Sequence, residues 1–521
     1  MEDHQNSSQL RVALMNRAYH EMLDAETRPV PDAFRRDAPM EPGPTLVPVN
    51  RYVSRAYHEL EKERLWKRVW QMAAHEDDMP EVGDVVPYDI AGLSFLIVRE
   101  AEDSYRAYYN ACLHRGRKLC EVRGKRMTEL RCPFHAWAWN LDGSLKQVPC
   151  KWDFPEMDDE KMKLPEARVA RWGRYIFINP DPDAAPFEDF IGDLSDNFET
   201  WPYEKLYKQA HVAKVLRCNW KLAQEAFQES YHVIATHPQI LMGGAHDTDT
   251  KYDAFGNYSR AMRAGVFTGD GLPPFEALPD DGRERVRHPL NGDIYELQDD
   301  GTILLTDRKG RTGRFDVEAN WLEGAITVAN PHLCNWIGGP QLPEGMDETK
   351  LRRVGGAGSD GSPQSQADLM RATLKDVIGD AADAIPDIEF CSIFLTLFPN
   401  FHPWGSFNRI NYRFRPNGDD HESCIMECIY LAPIPEHGEY EPCRGIHFLG
   451  VDDDWTDAPE LGMLARVFNQ DVRNLPHVHD GLKATAKEHV WFADYNETKP
   501  RHFESLMTEW VGDLPPQRPA D

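Results

Sequence analysis

The sequence has no long apolar run. Nowhere does it reach the roughly 18 consecutive apolar residues that a membrane-spanning helix needs. Residues 1–8 are polar, and they lack the basic segment and the apolar core of a secretory signal. We therefore expect a cytoplasmic protein that has no membrane partner.

Cysteine is scarce, with ten residues in a chain of 521. So few cysteines in a chain of this length do not make a disulfide framework, and two of them belong to a motif described below. We expect the others to be reduced thiols in a reducing compartment: Cys120, Cys150, Cys218, Cys334, Cys391, Cys424, Cys428 and Cys443.

Basic residues are outnumbered by acidic ones. The chain has 58 Lys and Arg against 86 Asp and Glu, a formal net charge of −28. Such a charge argues against nucleic acid or an anionic membrane as a partner, because both repel a negative surface. With 41% hydrophobic residues the composition is otherwise that of a globular protein, long enough for two or three domains.

Two short segments each combine one thiol with one imidazole. Cys112-Leu113-His114 and Cys132-Pro133-Phe134-His135 read C-x-H and C-x-x-H, and 17 residues separate them. A Cys₂His₂ zinc site uses the same ligand types, but it usually places the two Cys on one segment and the two His on another. Mixed segments suit a [2Fe–2S] centre in which two Cys hold one iron and two His hold the other, the Rieske arrangement. We predict a Rieske cluster on these four residues, with zinc as the alternative.

The stretch from Tyr109 to Leu145 resembles the Rieske domain of the bacterial aromatic-ring-hydroxylating oxygenases, in their large (alpha) catalytic subunit. The resemblance includes His114-Arg115-Gly116, Trp137 and the turn Leu141-Asp142-Gly143. Ala136 stands where Gly is commoner in the family, which predicts a tighter backbone in the second loop.

The patterns around this motif predict an α+β protein in three parts. Residues 82–110 form short alternating runs broken by Gly83 and Gly92, as a small all-β domain requires. Residues 9–24 and 54–70 have helical stripes, with a Pro-rich extended arm between them. We place an N-terminal helix and arm at 1–50, the Rieske domain at 51–185 and a catalytic domain at 186–521.

Residues 219–238 carry a second group of candidate ligands. If 219–235 is one helix, Glu225, Glu229 and His232 share a face. Pro238 disfavours the helical conformation for His237, whose side chain is then free to turn back toward His232. Two His at a helix end, with room for a carboxylate, suit a non-haem Fe(II) facial triad. The alternative is two partly buried histidines on an amphipathic helix.

This segment resembles the E-N-x-x-[D/E]-x-Y-H-x₄-H segment of the same family. The resemblance implies that His232 and His237 are iron ligands, and that Glu229 bridges the mononuclear iron to the Rieske cluster of a neighbouring subunit. Most ring-hydroxylating members have Asp at the bridge, whereas Glu is more typical of the branch acting on choline, betaine and carnitine. Ala226 replaces an Asn that is often found near the iron, so the role of that Asn is absent or supplied elsewhere.

A carboxylate ligand is expected downstream. Residues 461–486 resemble the C-terminal helix of the family, and Asp471 matches its ligand position. The competing candidates are Asp480, Asp247 and the pair His477 and His479, which we expect in a loop beside Pro476.

The rest of the second half predicts a sheet and its surroundings. Residues 239–330 are rich in Gly, Asp and Pro and predict mobile loops over a cleft, and residues 355–368 predict a polar linker. Residues 390–400, 407–416 and 424–433 predict three strands. The resemblance implies that these strands and the C-terminal helix form a helix-grip (START-like) fold with a curved antiparallel sheet.

The resemblance implies an oxygenase component that uses O₂ to mono- or dioxygenate an aromatic or other hydrophobic substrate. It implies one [2Fe–2S] cluster and one Fe(II) per subunit, with electrons from a reductase or ferredoxin, in a homotrimer with or without a small beta subunit. No G-x-G-x-x-G run follows a predicted strand, so we expect NAD(P)H to be oxidised by the partner protein.

Two other functions remain open. One is a Rieske monooxygenase that removes N- or O-alkyl groups or oxidises a quaternary amine. The other is not an enzyme but a Rieske electron carrier fused to a ligand-binding domain, which has no use for His232, His237 and Asp471.

Overall fold

The computed structural model of the protein describes residues 12–13, 16–17, 19–38, 43–241, 250–263, 278–279, 281–343 and 363–514. The described residues between 12 and 25 are helical, in agreement with the predicted N-terminal helix. Of the predicted sites, Asp247 lies outside the described residues.

The first large sheet is antiparallel and six-stranded, and it follows strand β1 (Leu46–Pro48). Its strands are β2 (Gln71–His75), β3 (Val85–Ile90), β4 (Leu93–Ala101), β5 (Ser104–Tyr109), β9 (Glu166–Trp172) and β10 (Tyr175–Asn179), in the order β2-β10-β9-β5-β4-β3. Ala91 and Gly92 join β3 to β4, both with positive φ, which is the backbone that a two-residue hairpin turn requires. The predicted β segment at 82–110 is therefore confirmed.

A three-stranded sheet is inserted between β5 and β9. It consists of β6 (Leu130–Arg131), β7 (Ala138–Trp139) and β8 (Leu145–Gln147). Its side chains share a small core with one face of the first sheet, and this core includes Cys112, Cys132 and Trp137.

The second large sheet has eight strands in the order β12-β13-β19-β20-β21-β22-β11-β23. Neighbouring strands are antiparallel except β11 and β23. The strands are β11 (Leu206–Leu216), β12 (Thr250–Phe255), β13 (Tyr258–Arg263), β19 (Ile393–Leu397), β20 (Phe401–Pro403), β21 (Ile410–Asn417), β22 (Asp420–Pro433) and β23 (His447–Leu449). The three strands predicted from the sequence correspond to β19, β21 and β22, with β22 longer than expected.

The helices that have bounds are mostly short. They are α1 (Asp32–Arg35), α2 (Asn50–Val53), α3 (Arg55–Glu61), α4 (Phe187–Ile191), α5 (Trp220–Ala226), α6 (Val233–Thr236), α7 (Pro238–Leu241), α8 (Pro331–Gly338), α9 (Pro363–Ile378), α10 (Met463–Ala484) and α11 (Thr498–Trp510). The predicted helix at 54–70 is shorter than expected: α3 ends at Glu61, and a π-helical turn follows at Lys62–Trp66. The predicted linker at 355–368 is wrong from Pro363 onward, because α9 begins there.

A third, five-stranded sheet occupies part of the region predicted as loops. Its strands β14 (Arg285–Arg287), β15 (Ile294–Leu297), β16 (Ile303–Thr306), β17 (Thr312–Phe315) and β18 (Trp321–Gly324) pair in sequence order, and α8 closes their core. The prediction of irregular loops across 239–330 is therefore wrong. Strands of three or four residues separated by short polar turns, three of which contain Gly, look like loops in the sequence.

Helix α10 is the element that connects these parts around the candidate ligands. It packs against α2, α5, α8 and β11, so Asp471 in its middle lies close to both α5 and the five-stranded sheet. The remaining strand, β24 (His489–Trp491), pairs with β1. Within the described part of the chain, no helix combines the length and the apolar character needed to cross a bilayer.

Candidate metal centres

The two Cys-His loops have the same backbone geometry. In the first, Cys112 N donates to Arg117 O and Gly116 N donates to Cys112 O, both at 2.8 Å. In the second, Cys132 N donates to Trp137 O at 2.8 Å and Ala136 N donates to Cys132 O at 3.1 Å. Gly116 and Ala136 both have positive φ, 76° and 60°. The loops thus present one cysteine and one histidine each from matching turns, and the alanine carries the strain expected from its sequence.

The four predicted cluster residues lie together at the end of the first sheet. Both cysteines are buried, whereas His114 and His135 are partly exposed, with ring centroids 4.6 Å apart. The imidazole of His114 stacks on Trp137 at 5.0 Å between centroids. Two buried thiols behind two outward imidazoles match a cluster with one cysteine-bound iron inside and one histidine-bound iron near the surface.

The first histidine has the properties of a metal ligand. Its Nδ1 atom is buried and has no hydrogen-bond partner among the described residues. Burial, followed by the charges of His135 and Arg115, lowers the pKa of His114, which favours the neutral imidazole that a metal requires. A buried ring nitrogen without a partner is costly unless a metal occupies it, so these residues fit a Rieske cluster.

The second group is arranged by a broken helix. Asn219 caps α5 by accepting from Lys221 N at 3.1 Å, and α5 ends at Ala226 instead of continuing to residue 235. The ring of Phe227 enters an aromatic cluster with Tyr412, Phe414 and Phe468, whose centroids lie 5.3 to 5.9 Å away. That contact holds Phe227 at φ −100° and ψ 7°, outside the regular helix.

The predicted common face of Glu225, Glu229 and His232 is therefore wrong. Glu225 is buried on the other side of α5, where its Oε1 accepts from Tyr52 Oη at 3.0 Å. Burial, followed by the nearby Glu504 carboxylate, raises the pKa of Glu225 well above its ordinary value. Glu225 thus plays no part in the candidate site.

His232, His237 and Asp471 converge. One ligand atom from each residue lies within 4.8 Å of the other two. The Nε2 atoms of His237 and His232 lie 2.7 and 3.5 Å from Asp471 Oδ1. His237 has φ −124° and ψ 52°, so the helix ends before Pro238 as predicted, and this turn brings the two imidazoles to 5.3 Å between centroids. Two imidazoles and one carboxylate around a common point fit a non-haem iron site.

Each histidine is held by its other ring nitrogen. Glu229 Oε1 lies 2.7 Å from His232 Nδ1, and Gln470 Oε1 lies 2.8 Å from His237 Nδ1. Burial opposes the charged form of His232, but Glu229 and Asp471 outweigh it and raise its pKa to about 9. Hydrogen bonds of this kind fix the ring orientation of a metal-binding histidine.

The competing carboxylate and histidine candidates lie elsewhere. Asp480 is exposed, and its nearest ion-pair partner is Lys483, at 3.8 Å. The expectation that His477 and His479 lie in a loop is wrong, because α10 continues through Pro476. His479 is buried on a different turn of that helix, outside the group that converges on Asp471.

Two residues beside the triad were missed by the sequence reasoning. Gln470 precedes Asp471 in the chain, and nothing in the sequence indicates that it contacts His237. His332 on α8 lies close to the site, and burial followed by the charges of His237 and Arg473 lowers its pKa to about 4. Helix α8 packs against the five-stranded sheet, whose strands lie in the region predicted as loops.

Two family models match the chain. Residues 69–158 match the Rieske [2Fe-2S] domain, and residues 196–295 match the catalytic domain of the ring hydroxylating alpha subunit. The first match contains all four cluster candidates, and the second contains Glu229, His232 and His237.

The chain is similar to subunits of a monooxygenase and of a dioxygenase. It is 32% identical over 194 residues to the carnitine monooxygenase oxygenase subunit of Escherichia coli (strain K12), which is 37% of this chain and 52% of that protein. It is 32% identical over 188 residues to the anthranilate 1,2-dioxygenase large subunit of Acinetobacter baylyi, 34% of this chain and 40% of that protein. The chain thus spans about half the length of these relatives.

The fold extends the similarity over most of the chain. The quaternary ammonium Rieske monooxygenase in complex with L-carnitine superposes with a TM-score of 0.52 at 17% identity, covering 89% of this chain and 95% of that one. At this identity the likeness concerns the fold alone.

Proposed function

We propose that the chain is a large (alpha) subunit of a Rieske oxygenase and acts as the oxygenase component of an O₂-dependent hydroxylating system. The observation that carries this proposal is the convergence of His232, His237 and Asp471 in a chain that also has the paired Cys-His loops. An electron carrier needs only the loops.

The two cofactors have separate ligands in this proposal. A Rieske [2Fe–2S] cluster and a mononuclear iron are implied by the two matched domains. We assign the cluster to Cys112, His114, Cys132 and His135, and the mononuclear iron to His232, His237 and Asp471. When bound, the two iron centres supply, one at a time, the electrons that O₂ needs before it reacts with an organic substrate.

The chain's own residues orient the candidate iron ligands. Glu229 accepts from both the backbone N and Nδ1 of His232, at 3.0 and 2.7 Å, which leaves Nε2 directed at the shared point. His237 and Asp471 are buried, and the aromatic cluster of Phe227, Tyr412, Phe414 and Phe468 lies beside them. Aromatic side chains close to the candidate ligands suit an aromatic or other hydrophobic substrate.

A second candidate function is the oxidation of a quaternary amine. It is favoured by Glu229, since the corresponding residue is Asp in most ring-hydroxylating members, and by the similarity to a carnitine monooxygenase subunit. A surrogate reductase, given aromatic compounds in one panel and carnitine and glycine betaine in another, distinguishes the two by product formation coupled to oxygen uptake.

The proposed assembly is a homotrimer, with or without a small beta subunit, served by a reductase or ferredoxin. In this assembly each cluster faces the iron site of a neighbour, with Glu229 at the junction. Phe134 and Trp152 near the cluster are 58% and 81% exposed, and Tyr231 beside His232 is 49% exposed, so both faces carry apolar side chains that an interface would cover.

All ten cysteines are free, which supports a reducing, cytoplasmic setting.

The ligand assignment is tested by replacing Asp471. We expect the wild-type protein to contain about three iron atoms and about two acid-labile sulfides per chain, and Asp471→Ala to contain about two of each with an unchanged Rieske spectrum. Loss of one charged ligand from a three-residue site removes the mononuclear iron but leaves the distant cluster. Asp480→Ala, an exposed carboxylate on the same helix, is the control and should keep about three iron atoms. Full iron in Asp471→Ala overturns the assignment.

A further inference from the structure

We infer that Gln470 is a positioning residue that fixes the ring orientation and the proton of His237. This inference rests on the proposed function, because it concerns a residue that acts on the mononuclear iron through its ligand. Gln470 is 1% exposed, and its Oε1 lies 2.8 Å from His237 Nδ1.

The orientation of the Gln470 amide is determined by its surroundings. Its Nε2 donates to the backbone carbonyl oxygen of His332 at 3.2 Å. A carbonyl oxygen only accepts, so the NH₂ group must face α8 and the amide oxygen must face His237. The side chain of Gln239 completes the arrangement: its Nε2 donates to Gln470 Oε1 at 2.6 Å and its Oε1 accepts from Gln470 Nε2 at 3.2 Å.

The amide orientation in turn determines the proton on His237. Because an amide oxygen only accepts, the imidazole must carry a proton on Nδ1. Nε2, which lies 2.7 Å from Asp471 Oδ1, is then the nitrogen that would exchange its proton for a metal ion at the point shared with His232 and Asp471. The backbone carbonyl of His332 on α8 therefore orients the Gln470 amide, and that amide directs His237 to offer Nε2 to the metal.

The two histidines are oriented by partners of different charge. His232 is held by the carboxylate of Glu229, whereas His237 is held by a neutral amide. A carboxylate at position 470 would place a second negative charge in a buried site next to Asp471, which desolvation disfavours. A glutamine provides the same acceptor without that charge.

The test compares Gln470→Leu with Gln470→Glu in the full-length protein with its cluster intact. After the mononuclear site is emptied with a mild chelator, Fe(II) is titrated back and the affinity is measured. The visible absorption and electron paramagnetic resonance spectra report on the Rieske cluster. The absorption spectrum of Co(II), bound in place of Fe(II), reports on the ligand geometry of the mononuclear site. We expect Gln470→Leu to bind Fe(II) roughly 10- to 100-fold more weakly, with an altered Co(II) spectrum and an unchanged Rieske spectrum.

Gln470→Glu should bind Fe(II) within roughly fivefold of the wild type, because either protonation state of the carboxyl group keeps an oxygen that accepts from Nδ1. Gln470→Met removes the acceptor in the same way and replaces the leucine variant if that variant folds poorly. Gln71→Leu is the control: Gln71 is equally buried and hydrogen-bonded, but it lies on β2. It should keep wild-type Fe(II) affinity.

Three outcomes overturn the inference: wild-type affinity in both apolar variants, equal loss in Gln470→Glu and Gln470→Leu, or equal loss in Gln71→Leu. Failure of the proposed function looks different, since Asp471→Ala then also binds Fe(II) as the wild type does.

Discussion

At the level of single residues, the two histidines of the candidate iron site are oriented by two different hydrogen-bond partners. The neutral amide of Gln470 orients His237 deep in the protein, and the charged carboxylate of Glu229 orients His232, whose side chain is 26% exposed. His232 is thus the more accessible member of this pair, since the side chain of Glu229 is only 8% exposed. We propose that the charge of Glu229 matters for electron transfer, because its carboxylate contacts the more accessible of the two histidines.

Replacing that charge should slow electron transfer without emptying the site. In Glu229→Gln we expect both metal centres to be retained, while electron transfer from the reduced cluster becomes at least roughly tenfold slower, because the imidazole of His232 loses its charged partner. Stopped-flow absorbance of pre-reduced protein mixed with oxygen measures the rate. Glu225→Gln is the matched control on the same segment and should behave as the wild type, since the Glu225 side chain contacts Tyr52 and takes no part in the candidate site. A wild-type rate in Glu229→Gln removes Glu229 from the electron path.

His502 on α11 should contribute to the loss of folding stability in acid. Burial lowers its pKa to about 4, whereas an unfolded histidine titrates near 6.5, and its Nε2 contacts the carbonyl oxygen of Gly256 at 3.0 Å. The folded state therefore binds this proton less readily than the unfolded state. Its contribution is fully present above about pH 6.5 and is lost as the pH falls toward 4, by up to about 3 kcal/mol.

We expect His502→Gln, which keeps a donor for Gly256, to reduce the loss of unfolding free energy between pH 7 and pH 5. Urea unfolding at the two pH values measures it. An identical pH dependence in the two proteins would show that His502 is not buried as a neutral imidazole.

At the scale of elements, the two cluster loops use the same turn with different residues at its left-handed position. Gly116 has open space around its Cα and adopts φ 76° without strain, whereas Ala136 adopts φ 60° with a side chain. The left-handed conformation costs a non-glycine residue about 1–2 kcal/mol. The second loop therefore carries strain that the first does not.

Exchanging these residues should change stability in opposite directions. Gly116→Ala should lower the free energy of unfolding by about 1–2 kcal/mol, and Ala136→Gly should raise it by up to about 1 kcal/mol, since lost strain is partly offset by greater freedom of the unfolded chain. Thermal unfolding of the cluster-loaded proteins measures both. A lower melting temperature for Ala136→Gly contradicts the account of the second loop.

Elements with a periodic sequence were predictable, and those shaped by distant contacts were not. Strands β19, β21 and β22 follow from apolar runs, and the turn at His237 follows from Pro238. The end of α5 at Ala226 did not, because it depends on Phe227 meeting Phe468, 241 residues away along the chain, in an aromatic cluster. The five-stranded sheet was missed because its strands are too short to show alternation.

Some features of the candidate sites were likewise predictable from the sequence, and others were not. The spacing of Cys112, His114, Cys132 and His135 predicts a cluster from the chemistry of its ligands alone, and the structure brings these residues together. The contact between Gln470 and His237 joins residues 233 apart in the chain, and no local pattern encodes it.

At the level of the whole chain, the residues of the two candidate metal centres lie beside two different sheets. The cluster loops extend from the six-stranded sheet and its small partner, whereas the triad lies between α10 and the segment after α5, beside the eight-stranded sheet. We propose that electrons received by the first centre are used for oxygen chemistry at the second.

Single-turnover mixing tests that claim most directly. Protein with its cluster pre-reduced is mixed with oxygen and a substrate identified in the reductase screen, while cluster absorbance and product are followed together. We predict that the wild-type cluster is reoxidised as product containing oxygen from O₂ forms, and that the cluster of Asp471→Ala stays reduced on the same timescale without product. Equally fast reoxidation in the two proteins would contradict the account, because the electrons would then leave the cluster without passing through the triad.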